Sequence, residues 1–304
     1  MADGQVYYKR VGYVSIEDAN GNMRSYGGND GLDFKFSGEK VGDIYASFEV
    51  GVLGLSAETI NDLTVWNPAE AIVSSRKIKV YAGYENGSIE NPLFEGIIIE
   101  AIPTNPPEMW LNFKCLRFVD KESEVSDPSM LKEVKLIDIF QRIGEDLGLE
   151  TRWEAEKVDK EKEVSFDYSG SKSQICDKFA AAFDLTVYEE NGILYAGDKR
   201  PQTNDPHGTI VEINQNTGML ALGNITLAGA TIKTRLNDKC GLMSWVHLTS
   251  IIVPKANGMY VVVRKKHYGQ FRGQDWTTEL ETIRQGANVS LQMKIDSPSL
   301  TGRR

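Results

Sequence analysis

Arg76-Lys77-Ile78-Lys79-Val80-Tyr81-Ala82-Gly83-Tyr84, then Glu85-Asn86-Gly87, then Leu93-Phe94-Glu95-Gly96-Ile97-Ile98-Ile99 is the stretch that decides the fold. Its first part alternates long polar with apolar or aromatic residues, the period-2 signature of a half-buried strand. Asn-Gly supplies the tight turn, and the β-branched run after it predicts the returning strand. The same grammar extends outward in both directions. Val6 to Ile16 is β-branched and aromatic, and Asp18-Ala19-Asn20-Gly21-Asn22 predicts a hairpin turn after it. Phe34-Lys35-Phe36 alternates, and so does Tyr45 to Leu53, with Ala46, Phe48, Val50 and Val52 on one face. Ser56 to Val65 predicts a turn or two of helix with Ser56 and Thr59 as caps, and Trp110 to Arg117 predicts a closing strand. About seven short strands at regular spacing predict a small antiparallel barrel or sandwich over residues 1–120.

Residues 121–200 change period. Leu136, Ile137, Ile139, Phe140, Ile143 and Leu147 recur at helical spacing, with Gly148 as the stop. Ser171-Lys172-Ser173-Gln174 reads as a capping box opening a second helix that buries Ile175, Phe179, Ala182 and Phe183. Each helix runs into a similar strand, Leu147 to Glu154 and Phe183 to Glu189, and a hairpin turns at Asn191-Gly192. This predicts a compact α+β module. After the polar linker Lys199 to Pro206, five strands are predicted: Thr209 to Ile213, Ile225 to Ile232, Trp245 to Ile252, Met259 to Lys266 and Thr277 to Ile283. The expected fold class is α+β, mainly β. It comprises a first barrel over 1–120, a module over 121–200, a second barrel over 201–289 and a C-terminal tail or arm over 290–304.

The chain has 304 residues, enough for about two domains, and a net charge of −9. Residues 1–120 hold 10 Lys/Arg against 17 Asp/Glu, residues 121–200 hold 12 against 19, and residues 201–304 hold 12 against 7. An acidic body argues against a dedicated nucleic-acid binder. The basic last third offers a surface to an acidic partner, or else Arg264-Lys265-Lys266 is a solvated edge. The 31 charged residues of the 80-residue module argue against a mostly buried position in an assembly. Met1-Ala2-Asp3-Gly4-Gln5 lacks the basic start and apolar run of a secretory signal, so synthesis in a cytoplasm is expected, with no membrane insertion.

Chemistry-bearing motifs are sparse. Cys115, Cys176 and Cys240 are widely spaced and read as buried thiols; His207, His247 and His267 form no metal-binding pattern. Gly54-Leu55-Ser56-Ala57 lacks the second Gly of a nucleophile elbow, and no phosphate loop or dinucleotide fingerprint occurs. Glu95, Glu100 and Glu108 are the acids considered for a glycan-cleaving site, and Tyr7, Tyr8, Tyr13, Trp66, Trp110, Trp153 and Trp276 the aromatics considered for a sugar or base platform. In β-rich domains such aromatics are more often core or cross-strand pairs. No catalytic, cofactor or metal residues are assigned, and no cofactor is expected.

Two stretches carry a family resemblance. Lys79-Val80-Tyr81-Ala82-Gly83-Tyr84 with Leu93-Phe94-Glu95-Gly96-Ile97-Ile98, preceded by Ala46 to Val52 and Ile60-Asn61-Asp62-Leu63, resembles a strand pair of bacteriophage tail baseplate hub proteins, the late control protein D or tail hub family. Trp245-Val246-His247-Leu248, Asn257 to Val263, His267-Tyr268-Gly269 and Gly273 to Leu280 resemble that family's closing pattern. Such hubs are similar to the hub part of type VI secretion spike proteins. The resemblance implies two tube-like β-barrel domains with α/β decoration, and a non-enzymatic homotrimer whose pseudo-sixfold ring adapts a hexameric tail tube to a trimeric spike or tip. Its implied partners are the tube or distal tail protein, the spike, neighbouring baseplate proteins, and DNA and tape-measure protein passing through the lumen of the virion's tail. The chain carries no pattern for an oligosaccharide-binding, lysozyme or β-helix domain, so spike and lytic functions are expected on other chains. A tail-associated lytic enzyme and a host-glycan adhesin are the alternatives.

Overall fold

The computed structural model describes residues 9–28, 31–41, 46–66, 76–85, 89, 91–117, 125–126, 131–168, 170–171, 174–190, 192–198, 210–226 and 228–287. Tyr7, Tyr8, His207, the 199–206 linker and the 290–304 tail lie outside them.

The N-terminal strands are β1 (Arg10–Glu17), β2 (Met23–Tyr26), β3 (Asp33–Val41), β4 (Ala46–Leu53), β5 (Lys77–Tyr84), β6 (Phe94–Pro103) and β7 (Trp110–Leu116), with helix α1 (Ala57–Leu63) between β4 and β5. Asp18 Oδ1 accepts the backbone N–H of Asn20 and Asn22, which locks the β1–β2 turn. In β4, Ala46, Phe48, Val50 and Val52 are buried while Ser47 and Glu49 are exposed, as the alternation requires. Ser56 caps α1 by accepting the N–H of Thr59.

The middle region contains β8 (Val125–Ser126), β9 (Leu131–Lys135), α2 (Leu136–Leu147), β10 (Glu150–Trp153), β11 (Glu163–Phe166), β12 (Gly170–Ser171), α3 (Ile175–Phe183), β13 (Leu185–Glu190) and β14 (Ile193–Asp198). Gly148 ends α2 in the left-handed region at φ 71°, where a side chain would be strained. The strand after each helix pairs with β14, β10 in parallel and β13 antiparallel, so the sequence echo is two helix–strand units sharing one central strand. The capping box at Ser171 is a correction. Ser171 is extended and pairs with Val125, and α3 starts three residues later with Gln174 at its N-cap and no side-chain cap bond.

The C-terminal strands are β15 (Val211–Ile213), β16 (Met219–Ile225), β17 (Gly229–Arg235), β18 (Trp245–Leu248), β19 (Gly258–Gln270) and β20 (Trp276–Arg284). The expected strand Ile225–Ile232 is divided: Ile225 ends β16, a turn follows, and residues 229–232 open β17. Thr226 Oγ1 accepts the N–H of Ala228 and Gly229 there. The strand predicted to reach Ile252 stops at Leu248, because Ser250 turns the chain: its hydroxyl accepts Val253 N–H and its N–H binds Asn257 Oδ1.

One 13-stranded sheet joins the two β-rich regions in the order β16-β17-β20-β19-β3-β4-β7-β6-β5-β1-β2, with β18 on β19 and β15 on β18. Two four-stranded units repeat within it. β3, β4, β6 and β7 stand in the spatial order first, second, fourth, third, and so do β16, β17, β19 and β20. Each third–fourth pair carries a bulge at the same place, between Ile98 and Glu100 in one and between Val262 and Arg264 in the other. Each third strand gives its first part to a flanking strand, β6 to β5 and β19 to β18. The units meet where β19 pairs with β3 from Arg264↔Val41 to Gln270↔Lys35. The first core crosses this junction, because Leu236 and Trp276 of the second unit pack with Phe34, Phe36, Phe48 and Phe94 of the first. Trp276 meets Phe36 edge-on at 5.3 Å, and its Nε1 donates to Gly83 O at 3.2 Å. The module has its own core around Phe140, Ile143 and Phe179.

Candidate assembly surface

One face of the joined sheet is apolar and buried; the other, over the middle of the strands, is polar. Strand alternation places Lys35, Ser37 and Glu39 of β3 on the polar face with Ser47 and Glu49 of β4, Asn112 and Lys114 of β7, Glu100 of β6, and Arg264, Lys266 and Tyr268 of β19. β20 adds Glu279 and Glu281, and β17 adds Lys233 and Arg235. Opposite charges face each other across strands. Lys114 Nζ lies 2.8 Å from Glu100, Lys266 Nζ lies 3.4 Å from Glu39 and 3.6 Å from Glu281, and Arg264 lies 3.3 Å from Glu281. Exposed pairs of this kind add little stability each. Their consequence is a polar surface on which the charges nearly balance. A groove of about 650 Å³ runs along it between Lys35, Glu49, Lys114 and Tyr268.

On the opposite, core-side face of the same strands, at one end, the module docks through a buried ionic knot. Lys265 Nζ donates to Glu190 at 2.8 Å, Lys40 Nζ stands 3.5 Å from both Glu189 and Glu190, and Arg117 reaches Glu189 at 2.6 Å. Gly192 N–H donates to Glu189 and Leu242 N–H to Glu190. Burial alone would raise the Glu190 carboxyl, but Lys265 and Lys40 outweigh it and hold it down at about 2. Burial, with the like charge of Lys265, lowers Lys40. Burial and Lys265 likewise push His267 down to about 3, leaving a neutral ring bonded to Thr278 Oγ1 at 2.9 Å. Beside the knot, Tyr188 and Tyr195 stack at 5.1 Å and pack against Leu242, Met243, Trp245 and Val261.

Arg264-Lys265-Lys266 is therefore no solvated edge: Lys265 is buried, and its neighbours are laced to Glu39 and Glu281. The acidic partner of this basic segment lies in the same chain. Sequence reading missed Glu189 and Glu190, which look like two more charges on a strand end; only the returning lysines make them special.

The residues considered for chemistry are scattered. Glu95 pairs with Lys79 and Glu100 with Lys114, each at 2.8 Å, and Glu108 stands exposed before β7. Tyr13 stacks on its cross-strand partner Tyr81 at 4.6 Å, Lys35 sits over Trp110 at 4.5 Å, and Trp153 meets Phe140 edge-on at 5.7 Å. Among the described residues of this set, Trp66 alone projects into solvent, 68% exposed. His247 binds Glu212 at 2.9 Å. All three cysteines are buried and free, and burial raises each thiol, Cys240 to about 12. Among the described residues no group of three or more His, Cys, Asp or Glu could hold a metal ion, and no helix is long and apolar enough to cross a membrane.

A duplicated four-stranded unit joined into one sheet, with an open polar face and a side module, defines a mainly β protein built on a repeated strand unit. The family model of baseplate hub gp41 matches residues 20–281, and the chain belongs to that family of phage tail baseplate hubs. No curated protein matches the chain in sequence. Its fold is similar to that of a tail protein from Neisseria meningitidis MC58 (TM-score 0.63, 10% identity, 92% of this chain and 98% of that one). It is also similar to the 43 kDa tail protein of prophage MuSo2 from Shewanella oneidensis (TM-score 0.58, 6% identity, 89% and 98%). A third similar structure is the Escherichia coli protein c3393, a type VI secretion component described as resembling T4 tail proteins gp27 and gp5 (TM-score 0.53, 7% identity, 83% and 73%).

Proposed function

We propose that this baseplate hub works as a homotrimeric ring whose six four-stranded units form the wall of a channel. The observation that carries the reading is the duplication. Within one chain, the third strand of one unit (β19) already pairs with the first strand of the other (β3). Repeating that head-to-tail relation between copies brings β16 of one copy to β6 of the next and closes a ring. Three copies give six units, the number that lets a hexameric tube meet a trimeric spike.

On this reading residues 1–120 and 201–289 are the wall, each completing a small tube-like barrel, and 121–200 is an outward module clamped at one end by the ionic knot. The polar face lines the lumen, where its near-neutral lacing suits the passage of DNA and tape-measure protein without retention. Tube or distal tail protein sits above, spike or tip below, and the 290–304 arm reaches a neighbouring baseplate protein. The hub is non-enzymatic and belongs to the virion.

Native mass spectrometry of the full chain tests this directly. A species of three times 33.9 kDa is expected, and a folded monomer at all concentrations overturns the ring. Loss of peptidoglycan turbidity on adding purified protein overturns the non-enzymatic reading.

A further inference from the structure

We infer that the seam between copies differs from the β19–β3 junction inside the chain: β16 of a second copy packs by side chains against the 64–66 segment, anchored by Trp66, without extending the sheet. This rests on the ring reading and names the surface that closes it.

The edge of β6 that corresponds to the β3-binding edge of β19 is already occupied. Val65 N–H donates to Ala101 O at 2.9 Å, and Ala101 N–H donates to Val65 O at 3.0 Å. The next residue of β6 facing the same edge is Pro103, which has no N–H to offer. A ladder of the kind β3 makes with β19 therefore has little to bond to. The guard is anchored: Thr64 N–H and Oγ1 both bond to Ile60 O at the end of α1, and Leu63 and Val65 are buried in the first core. With Val65 turned into that core, alternation sends Trp66 to the opposite side, where it is the one exposed tryptophan among the described residues.

The strand due to arrive there is suited to such a contact. β16, Met219–Ile225, has no charge and no proline, its outer edge is unpaired among the described residues, and Leu220 and Ile225 are about half exposed. An apolar open edge of this kind is an aggregation hazard unless covered. The occupant is a second copy, because the chain itself shows the counterpart of β16, β3, lying beside the counterpart of β6, β19. Val65 thus keeps β6 from pairing indiscriminately, while Trp66 supplies the large rigid anchor typical of interface hot spots.

The test compares wild type with Trp66→Ala and with Leu220→Ser/Ile225→Ser, all exposed positions that leave the fold intact by circular dichroism. Each variant is expected to weaken trimerisation by at least about 30-fold, with Trp66→Phe intermediate. Amide hydrogen exchange in the wild-type trimer is expected to leave Met219–Ile225 less protected than Asp33–Val41. A wild-type trimer whose stability ignores these substitutions places the seam elsewhere and leaves the ring standing. Protection of Met219–Ile225 equal to that of Asp33–Val41 shows a ladder and overturns the proposal. A wild-type chain that never trimerises overturns the ring and the seam together.

Discussion

Glu190→Ala removes the carboxylate that Lys265 approaches to 2.8 Å and Lys40 to 3.5 Å, and strips Leu242 N–H of its acceptor. The Glu190 carboxyl stands at about 2 against an ordinary 4.5. At about 1.4 kcal/mol per pH unit the folded protein favours its charged form by about 3 kcal/mol. Removing one partner of a buried ion pair costs about 3–5 kcal/mol in general, so the two routes agree. Thermal unfolding followed by circular dichroism should show a Tm lowered by roughly 6–12 °C. Glu190→Leu/Lys265→Met should recover part of the loss, since an apolar pair replaces a buried ionic one at little cost. The pH dependence has a definite sign: a carboxyl held below its unfolded value stabilises fully above about 4.5, and that contribution is lost as pH falls toward 2. The gap between wild type and Glu190→Gln should close over that window. A loss below about 1 kcal/mol, or a gap that persists at pH 2, would refute the buried knot as the clamp between module and wall.

His267, held neutral down to about 3, leaves the unfolded chain to take up a proton first below its ordinary 6.5, so it subtracts stability as pH falls from 6.5 toward 3. His267→Gln should flatten the stability profile over that range in urea titrations. Gly38→Ala sets a Cβ 2.0 Å from the Phe48 ring beside the unit junction, and should cost about 1–3 kcal/mol by chemical denaturation. Cys115, Cys176 and Cys240 should resist a thiol reagent in the native protein and react once it is unfolded.

Local pattern made most elements legible. Alternation in Ala46 to Val52 and the helical spacing from Leu136 to Leu147 act within a few residues, and the structure follows them. Where a tertiary partner decides, the sequence is silent. Ser171 is drawn into pairing with Val125, which overrides its capping pattern. Met219 to Ile225 is a strand in which Leu220, Ala221 and Ile225 are exposed and only Met219 and Leu222 touch the core, so it shows no buried-face alternation to read. The β19–β3 junction joins residues more than 200 positions apart, and neither strand names its partner. Glu189 and Glu190 became the module's clamp only because Lys40, Arg117 and Lys265 arrive from three other segments. The duplication of the strand unit was equally hidden: it lies in strand order and bulge position, while the side chains have diverged to Phe-rich packing in one unit and β-branched packing in the other.

The most direct test of the central claim is an electron cryomicroscopy reconstruction of the assembled full-length protein. The account predicts a three-fold ring of six four-stranded units, with Lys114, Lys266, Glu39 and Glu281 facing the channel and the 121–200 module outside. A closed ring with that polar face turned outward, or an assembly in which the two units of one chain do not stand side by side around the axis, would contradict it.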